Sequence, residues 1–153
     1  MPLDPQTPAR DGYLLLTTAA RLVQRRWDEA LAPLGLTRAA VIALGGVALR
    51  PMNQEQLAAV IHVQSQTLGR VLARLEARGL ITRKRNPQDR RQFHVEITDA
   101  GTAALSAARE AESAAVSADF DGWETLRDQL SRFVTSFQIP DKLWVRPAPD
   151  PPR

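Results

Sequence analysis

The sequence predicts a mainly α (α+β) fold, with long helices at both ends and a helical middle closed by one β-hairpin. Three observations predict it. Apolar residues recur at three- and four-residue steps over residues 9–33, 64–78 and 121–137. Between Leu80 and Ile97 the period changes to two, on either side of an Asn86-Pro87 turn. The segments are separated by residues that stop helices: Pro33 with Gly35, then Pro51, then Gly79.

The first helix carries Leu16, Ala19, Val23, Trp27, Ala30 and Leu34 as one stripe, widened by Leu15 and Leu22. Thr37 is a good N-cap for the second, and Leu36 and Val41 stand in the positions of a hydrophobic staple. That helix runs to about Leu49. Gly45 and Gly46 weaken its interior, each by up to ~1 kcal/mol against alanine, or they permit close helix packing. Asn53 starts a third helix, with Gln56 completing a capping box and Leu57, Val60 and Ile61 forming an apolar face that ends at His62.

Residues 64–78 follow with Leu68, Val71, Leu72 and Leu75 on one side. Gln66, Arg70, Arg74 and Arg78 recur every four residues on the other, and Gly79 closes the helix as a C′ residue. Leu80–Arg85 reads as a strand, Asn86–Arg91 as a loop, and Phe93, Val95 and Ile97 alternate with Gln92, His94 and Glu96. Thr98 caps an alanine-rich helix to about Ala118. Asp121 with Glu124 opens a last helix bearing Trp123, Leu126, Leu130, Phe133, Val134 and Phe137. From Gln138 onward five prolines argue against regular structure.

Composition closes several routes. The 153 residues contain no cysteine, which excludes disulfides and thiolate metal sites. The only imidazoles are His62 and His94, 32 positions apart, so no metal site is expected. Ser65 and Thr67 have no nearby acid–base pair, and no glycine-rich phosphate loop follows a strand. The expectation is therefore no enzyme and no cofactor. No apolar run approaches ~18 residues and the first residues lack a signal-peptide layout, so the expected location is the cytoplasm, with no membrane partner.

Charge points to a partner. The net charge is +3, yet residues 70–91 hold eight arginines and lysines against two acidic residues, or 8 − 2 = +6. The rest of the chain therefore carries 3 − 6 = −3. A basic segment on a mildly acidic body is the footprint of a polyanion binder.

Helix, short helix, helix and hairpin, in that order, describe a winged helix-turn-helix. The second helix of the turn is narrow enough for the major groove, where it would present Gln64, Ser65, Gln66 and Thr67, with Arg70 one turn on and Arg74 after it. Asn53 and Gln54, at a helix start, are candidate phosphate contacts. The hairpin tip, with Arg83, Lys84, Arg85, Asp89, Arg90 and Arg91, is expected in the minor groove, which attracts inserted arginine. Asp89 is placed to hold the Arg91 guanidinium in a defined rotamer.

The stretch "LEARGLITRKRNPQDRRQFHVEITDAG", residues 75–101, resembles the winged-helix core of the MarR family of bacterial transcriptional regulators. The residues that carry the resemblance are Leu75, Glu76, Gly79, Leu80, Ile81 and Arg83, then Asp89 and Arg91, then Ile97, Thr98 and Gly101. It extends over residues 10 to 138, with Gln64 a departure where the family often has Ser or Thr. The resemblance implies a homodimer: residues 9–35 and 99–138 form the dimerisation region, 36–98 the DNA-binding domain, and 139–153 a Pro-rich tail without counterpart. Leu15, Leu16, Trp123, Leu126, Leu130, Phe133 and Phe137 are the expected dimer contacts. It also implies a pseudo-palindromic double-stranded DNA operator and a repressor that a small acidic aromatic or phenolic ligand releases. The alternative from another class is a winged-helix module that binds a protein partner or RNA.

Overall fold

A computed structural model of the protein describes residues 8–61, 64–89, 91–117 and 120–137. Of the residues singled out above, His62, Arg90, Ala118, the tail and the side chain of Ser65 lie outside the described part. Six helices and a small sheet make up what is described.

Helix α1 runs Pro8–Leu31 and passes into a 3-10 turn, Ala32–Leu34. Gly35, at φ +65°, turns the chain through the left-handed region, which costs glycine little. Helix α2 (Arg38–Leu49) opens as expected on Thr37, whose hydroxyl accepts the Ala40 N–H at 3.2 Å. It is the centre of the molecule. Ala40, Val41, Ala43, Leu44 and Val47 are buried, and neighbours on several sides cover them. The two glycines divide in role. A Cβ on Gly46 would meet the Leu57 side chain at 2.6 Å, so this glycine permits close helix packing, whereas Gly45 faces only the Arg109 guanidinium at 3.7 Å.

Strand β1 (Met52–Asn53), helix α3 (Gln54–Ile61) and helix α4 (Ser65–Ala77) follow, then β2 (Ile81–Arg85), β3 (Phe93–Ile97), α5 (Asp99–Ser117) and α6 (Trp123–Thr135). The hairpin is antiparallel, with Ile81 opposite Ile97 and Lys84 opposite His94. Strand β1 is not expected from the sequence pattern. It adds an edge to the hairpin, in the order β1-β3-β2, with Met52 opposite Val95. Two residues are too few to display a period of two; only the burial of Met52 gives the strand away.

Helix α4 ends in a Schellman motif. Gly79, at φ +71°, donates to the Glu76 carbonyl at 2.9 Å and Leu80 to the Leu75 carbonyl at 3.0 Å. Leu75 and Leu80 both enter the core. Thr98 opens α5 by accepting the Gly101 N–H at 3.0 Å, while its own hydroxyl donates to the Gly79 carbonyl at 2.7 Å. Gly101 is required there: a Cβ would stand 2.0 Å from the Leu80 carbonyl oxygen.

Two expectations need correction. Phe93 shares a strand face with Val95 but not its burial; it is 45% exposed, near the hairpin loop, and the Arg85 guanidinium lies 5.7 Å from its ring centroid. The cap of α6 is Gly122, not Asp121. Phe120 folds back edge-on to Trp123, with centroids 5.2 Å apart, and its ring occupies the place a Cβ on residue 122 would need. That pairing moves the helix start one residue on.

The core comprises Leu31, α2, the inner faces of α3 and α4, the sheet, and Leu105 and Ala108 of α5. Helix α1 packs along α5, whereas α6 takes no part in the main helix packings of the described body. The molecule is a winged lobe bearing a helical arm.

Candidate nucleic-acid interface

Helix α4 has two unlike faces for a local reason. Leu68, Leu72 and Leu75 fall on one side and are almost fully buried, which fixes the rotation of the helix. Gln66, Thr67, Arg70 and Arg74 are then turned to solvent together. Gln64 is the N-cap, in extended conformation, and its side chain makes no capping bond. The first-turn N–H groups of α4 therefore lack a side-chain cap, which suits an approaching phosphate oxygen. Helix α3 crosses close behind, where Gly69 leaves room: a Cβ there would lie 3.3 Å from the Gln54 side-chain nitrogen.

Asn53 and Gln54 sit at the start of α3 as expected, but their side chains have work inside the protein. Asn53 Oδ1 accepts the Gln56 N–H at 2.7 Å, and Gln56 Oε1 accepts the Asn53 N–H at 3.1 Å. This is the expected capping box. Asn53 Nδ2 also donates to Gln92 Oε1 at 3.2 Å, tying the helix start to the wing. Gln92 was not foreseen in this role; nothing in its local sequence marks a bond reaching 39 residues back. Gln54 is likewise engaged.

The wing is more fully braced than its charge suggests. Arg83 Nε lies 3.2 Å from the Glu76 carboxylate in poor hydrogen-bond geometry, so that attraction is mainly Coulombic. Lys84 pairs with Glu96 at 3.0 Å, diagonally from β2 to β3, since the residue directly opposite Lys84 is His94. Arg85 lies over Phe93. Arg70, Arg74 and Arg91 make no ion pair among the described residues. All three are exposed.

Asp89 does something other than expected. Its carboxylate accepts the backbone N–H of Arg91 at 3.0 Å, and its carbonyl accepts the Gln92 N–H at 3.0 Å. It shapes the backbone of the tip and does not grip the guanidinium. Asn86 makes the matching turn on the other side, accepting the Gln88 N–H at 3.0 Å across Pro87. An acidic residue in a cationic tip is thereby explained: two such turns fix where Arg91 leaves the loop.

Between the α3 start and the wing lies an open cleft of about 230 Å³, walled by Asn53, Arg83, Arg91 and Gln92 among others. Its lining mixes amides and two arginines with the acidic Glu55 and the apolar Phe93 and Val95. Arg78 leaves the basic stripe altogether and turns to the carbonyls of Leu34 and Gly35. Among the described residues no group of three or more His, Cys, Asp or Glu is placed to hold a metal ion. No single described helix is long and apolar enough to cross a membrane.

The sequence model of the MarR family matches residues 34–92. A solved structure of a probable transcriptional regulator from Pseudomonas aeruginosa is 32% identical, with a TM-score of 0.65; the match covers 77% of this chain and 96% of that one. The chain belongs to the MarR family. Two further structures are similar to it. CouR from Rhodococcus jostii RHA1, bound to p-coumaroyl-CoA, is 26% identical with a TM-score of 0.73, over 89% of this chain and 96% of that one. A mutant MarR from E. coli complexed with operator DNA is 23% identical with a TM-score of 0.67, over 86% and 99% respectively. At that identity the last attests the fold alone. The fold is that of the winged-helix MarR regulators, a family of transcription factors, and the matched segment spans α2, β1, α3, α4 and β2 and stops at the end of the hairpin loop, before β3.

Proposed function

We propose that this chain is a cytoplasmic, homodimeric repressor that binds a pseudo-palindromic operator, one winged lobe per half-site. The observation that carries the reading is the solvent face of α4, where Gln66, Thr67, Arg70 and Arg74 stand together beside an exposed Arg91 at the wing tip. Gln can pair with adenine and Arg with guanine in the major groove, while an arginine in the minor groove reads its width and potential. Gln64, Lys84 and Arg85 flank these groups, with Asn53, Gln54, Arg83 and Asp89 shaping the surface they occupy; Ser65 and Arg90, which lie outside the described side chains, are assigned to DNA contact on their place in the sequence alone.

Dimerisation is supported by apolar area that the protomer leaves uncovered. Leu15 is 57% exposed, Phe133 45% and Phe137 61%, with Trp123 and Leu126 also open to solvent. Leu16 and Leu130 are half-buried beside them. An open trough of about 430 Å³ between α1, α5 and α6, walled by Trp27, Val116 and Trp123, is a seat for a partner's helix. Contiguous apolar surface of this kind marks an interaction site.

A small aromatic or phenolic acid releases the operator. An apolar cleft of about 220 Å³ lies between α2, α3 and α4, lined by Ile42, Ile61, Leu68 and Val71, with Arg38 at its rim. A ring fits the aliphatic wall, and a carboxylate would compete with Asp28, 2.9 Å away, for the Arg38 guanidinium. Thr67, at the edge of the reading face, also lines this cleft, so a ligand there touches the reading helix itself. CouR, bound to p-coumaroyl-CoA, is a similar protein with an aromatic acyl ligand.

The test is selection of DNA by the purified protein from a random pool, followed by binding at several salt concentrations. Enrichment of an inverted repeat, with log K falling by roughly 0.9 per phosphate contacted for each unit of log[salt], is expected. Absence of any enriched sequence would favour the protein- or RNA-binding alternative.

A further inference from the structure

Helices α1 and α4 both end in a left-handed glycine, and the two ends lie side by side. At the end of α1, Gly35 donates to the Ala32 carbonyl at 3.0 Å and Leu36 to the Leu31 carbonyl at 3.3 Å. At the end of α4, Gly79 and Leu80 close the helix in the same pattern. One side chain crosses between them. Arg78, the C-cap of α4, donates from Nη1 to the Gly35 carbonyl at 2.7 Å and from Nη2 to the Leu34 carbonyl at 3.1 Å.

The pairing is chemically apt. The carbonyls at a helix C-terminus carry the negative end of the helix dipole, and a guanidinium presents two parallel donors that a carbonyl pair can accept. The fit is close: a Cβ on residue 35 would stand 3.4 Å from Nη1. Sequence reading puts Arg78 in the basic stripe of α4, yet it is the member of that stripe that turns away from the reading face. Helices α1 and α4 do not pack along each other; they meet through the shared core at Leu31 and through this polar link. A second polar link, Arg38 to Asp28 at 2.9 Å, ties α1 to the start of α2.

We propose that Arg78 is a positioning residue: it fixes the angle of the reading helix to the dimerisation helix, and thereby the separation of the two reading helices on the operator. The inference rests on the reading of the chain as a homodimer on a two-half-site operator. Each α4 is held to its own lobe by Leu68, Leu72 and Leu75, so the lobe moves as a unit. What Arg78 controls is how that lobe hangs from α1. Two lobes must present their helices about one turn of DNA apart, ~34 Å, and freedom at this joint spreads that distance. A half-site, bound by one lobe, is indifferent to it.

The experiment uses the full chain and DNA that the wild-type protein selects from a random pool. That DNA is prepared as the intact site, as a single half-site, and with one, two or three base pairs inserted between half-sites. Arg78→Gln and Arg78→Lys are compared with wild type, and thermal unfolding is followed for each. For Arg78→Gln, affinity for the intact site is expected to fall about tenfold, half-site affinity to stay within about twofold, and the penalty for inserted base pairs to shrink. The salt dependence should keep its slope, since no phosphate contact is lost. Arg78→Lys, which retains charge and one donor, should recover part of the intact-site affinity.

A merely structural role would lower intact-site and half-site binding together and leave the spacing profile unchanged. A shallower salt slope with weaker half-site binding would make Arg78 a phosphate contact. Either result overturns the proposal. If wild type itself shows no preference for the intact site over the half-site, the homodimeric-operator reading fails and the inference fails with it.

Discussion

Replacing Gly101 by alanine tests the joint between the wing and the α5 arm. The added Cβ would stand 2.0 Å from the Leu80 carbonyl oxygen and 2.8 Å from Ile97 Cγ1. Neither obstacle is the loose end of a side chain. Ordinary carbon contacts need well over 3 Å, so the first turn of α5 must retreat by about 1 Å. Overpacking of this kind costs about 3 kcal/mol at its upper end. The retreat also strains the Thr98 N–H bond to the Leu80 carbonyl, now 3.1 Å, worth about 1 kcal/mol. Against this, alanine gains up to ~1 kcal/mol in helix propensity. The net expected loss is about 3 kcal/mol, combining those contributions.

Gly79→Ala is the matched control. A Cβ there meets nothing within 4 Å, but φ is +71°, so the loss is the left-handed backbone penalty of about 1–2 kcal/mol. Urea unfolding at one fixed protein concentration should show a lower midpoint for both variants with the slope unchanged, the larger fall being at Gly101. If Gly101→Ala proves the milder of the two, steric closeness is not what the glycine provides, and the account of this joint is wrong.

Arg91→Ala should weaken operator binding across sequences, most where A·T-rich flanks narrow the minor groove, whereas Gln66→Ala should relax preference at one base pair by roughly 1–3 kcal/mol. Equal losses on specific and random DNA for Gln66→Ala would mean that α4 does not read bases as drawn. Burial raises the Glu112 pKa above the usual 4.5, partly offset by Arg109. At pH 7 the folded protein therefore holds this carboxylate ionised at a cost that vanishes once pH falls below the unfolded value. Glu112→Gln should be slightly stabilising at pH 7, by less than about 1 kcal/mol for so open a group, with the advantage lost near pH 4; an advantage that grows in acid contradicts the sign. A panel of benzoates and phenolic acids titrated against the protein–DNA complex should release the DNA, and Arg38→Ala should blunt the response to the acids. Hydrogen peroxide at low concentration should do nothing, because the chain has no cysteine.

What was legible in the sequence was whatever depends on local chemistry. Thr37, the Asn53–Gln56 box and Gly79 each act within a few residues of where they stand, and each acts as read. The two hairpin strands and the buried row of α4 follow from periodicity in the same way. What was not legible depends on partners far along the chain. Strand β1 exists only because β3 lies beside it, and Gln92 reaches the α3 start across the wing. The Gly122 cap follows from a ring that folds back on it. Local rules place Asp121 as the cap correctly by type, and the aromatic pair overrides them.

Charge is where the distinction matters most for function. The basic segment sums to +6 over residues 70–91. Summation treats each cation as equally available, yet Arg78 is bound to backbone carbonyls, Arg83 and Lys84 to carboxylates, and Arg85 lies over an aromatic ring. These groups build the surface; Arg70, Arg74 and Arg91 are the ones turned outward without a described ion partner. The braces are exposed pairs, each worth little to stability alone, but they set the directions in which the remaining guanidinium groups leave the protein. Salt dependence should therefore be governed by the few outward cations per lobe and fall short of what the whole segment's charge implies. Direction, supplied by turns at Asn86 and Asp89 and by the buried leucines of α4, is what converts a basic stretch into a reading surface.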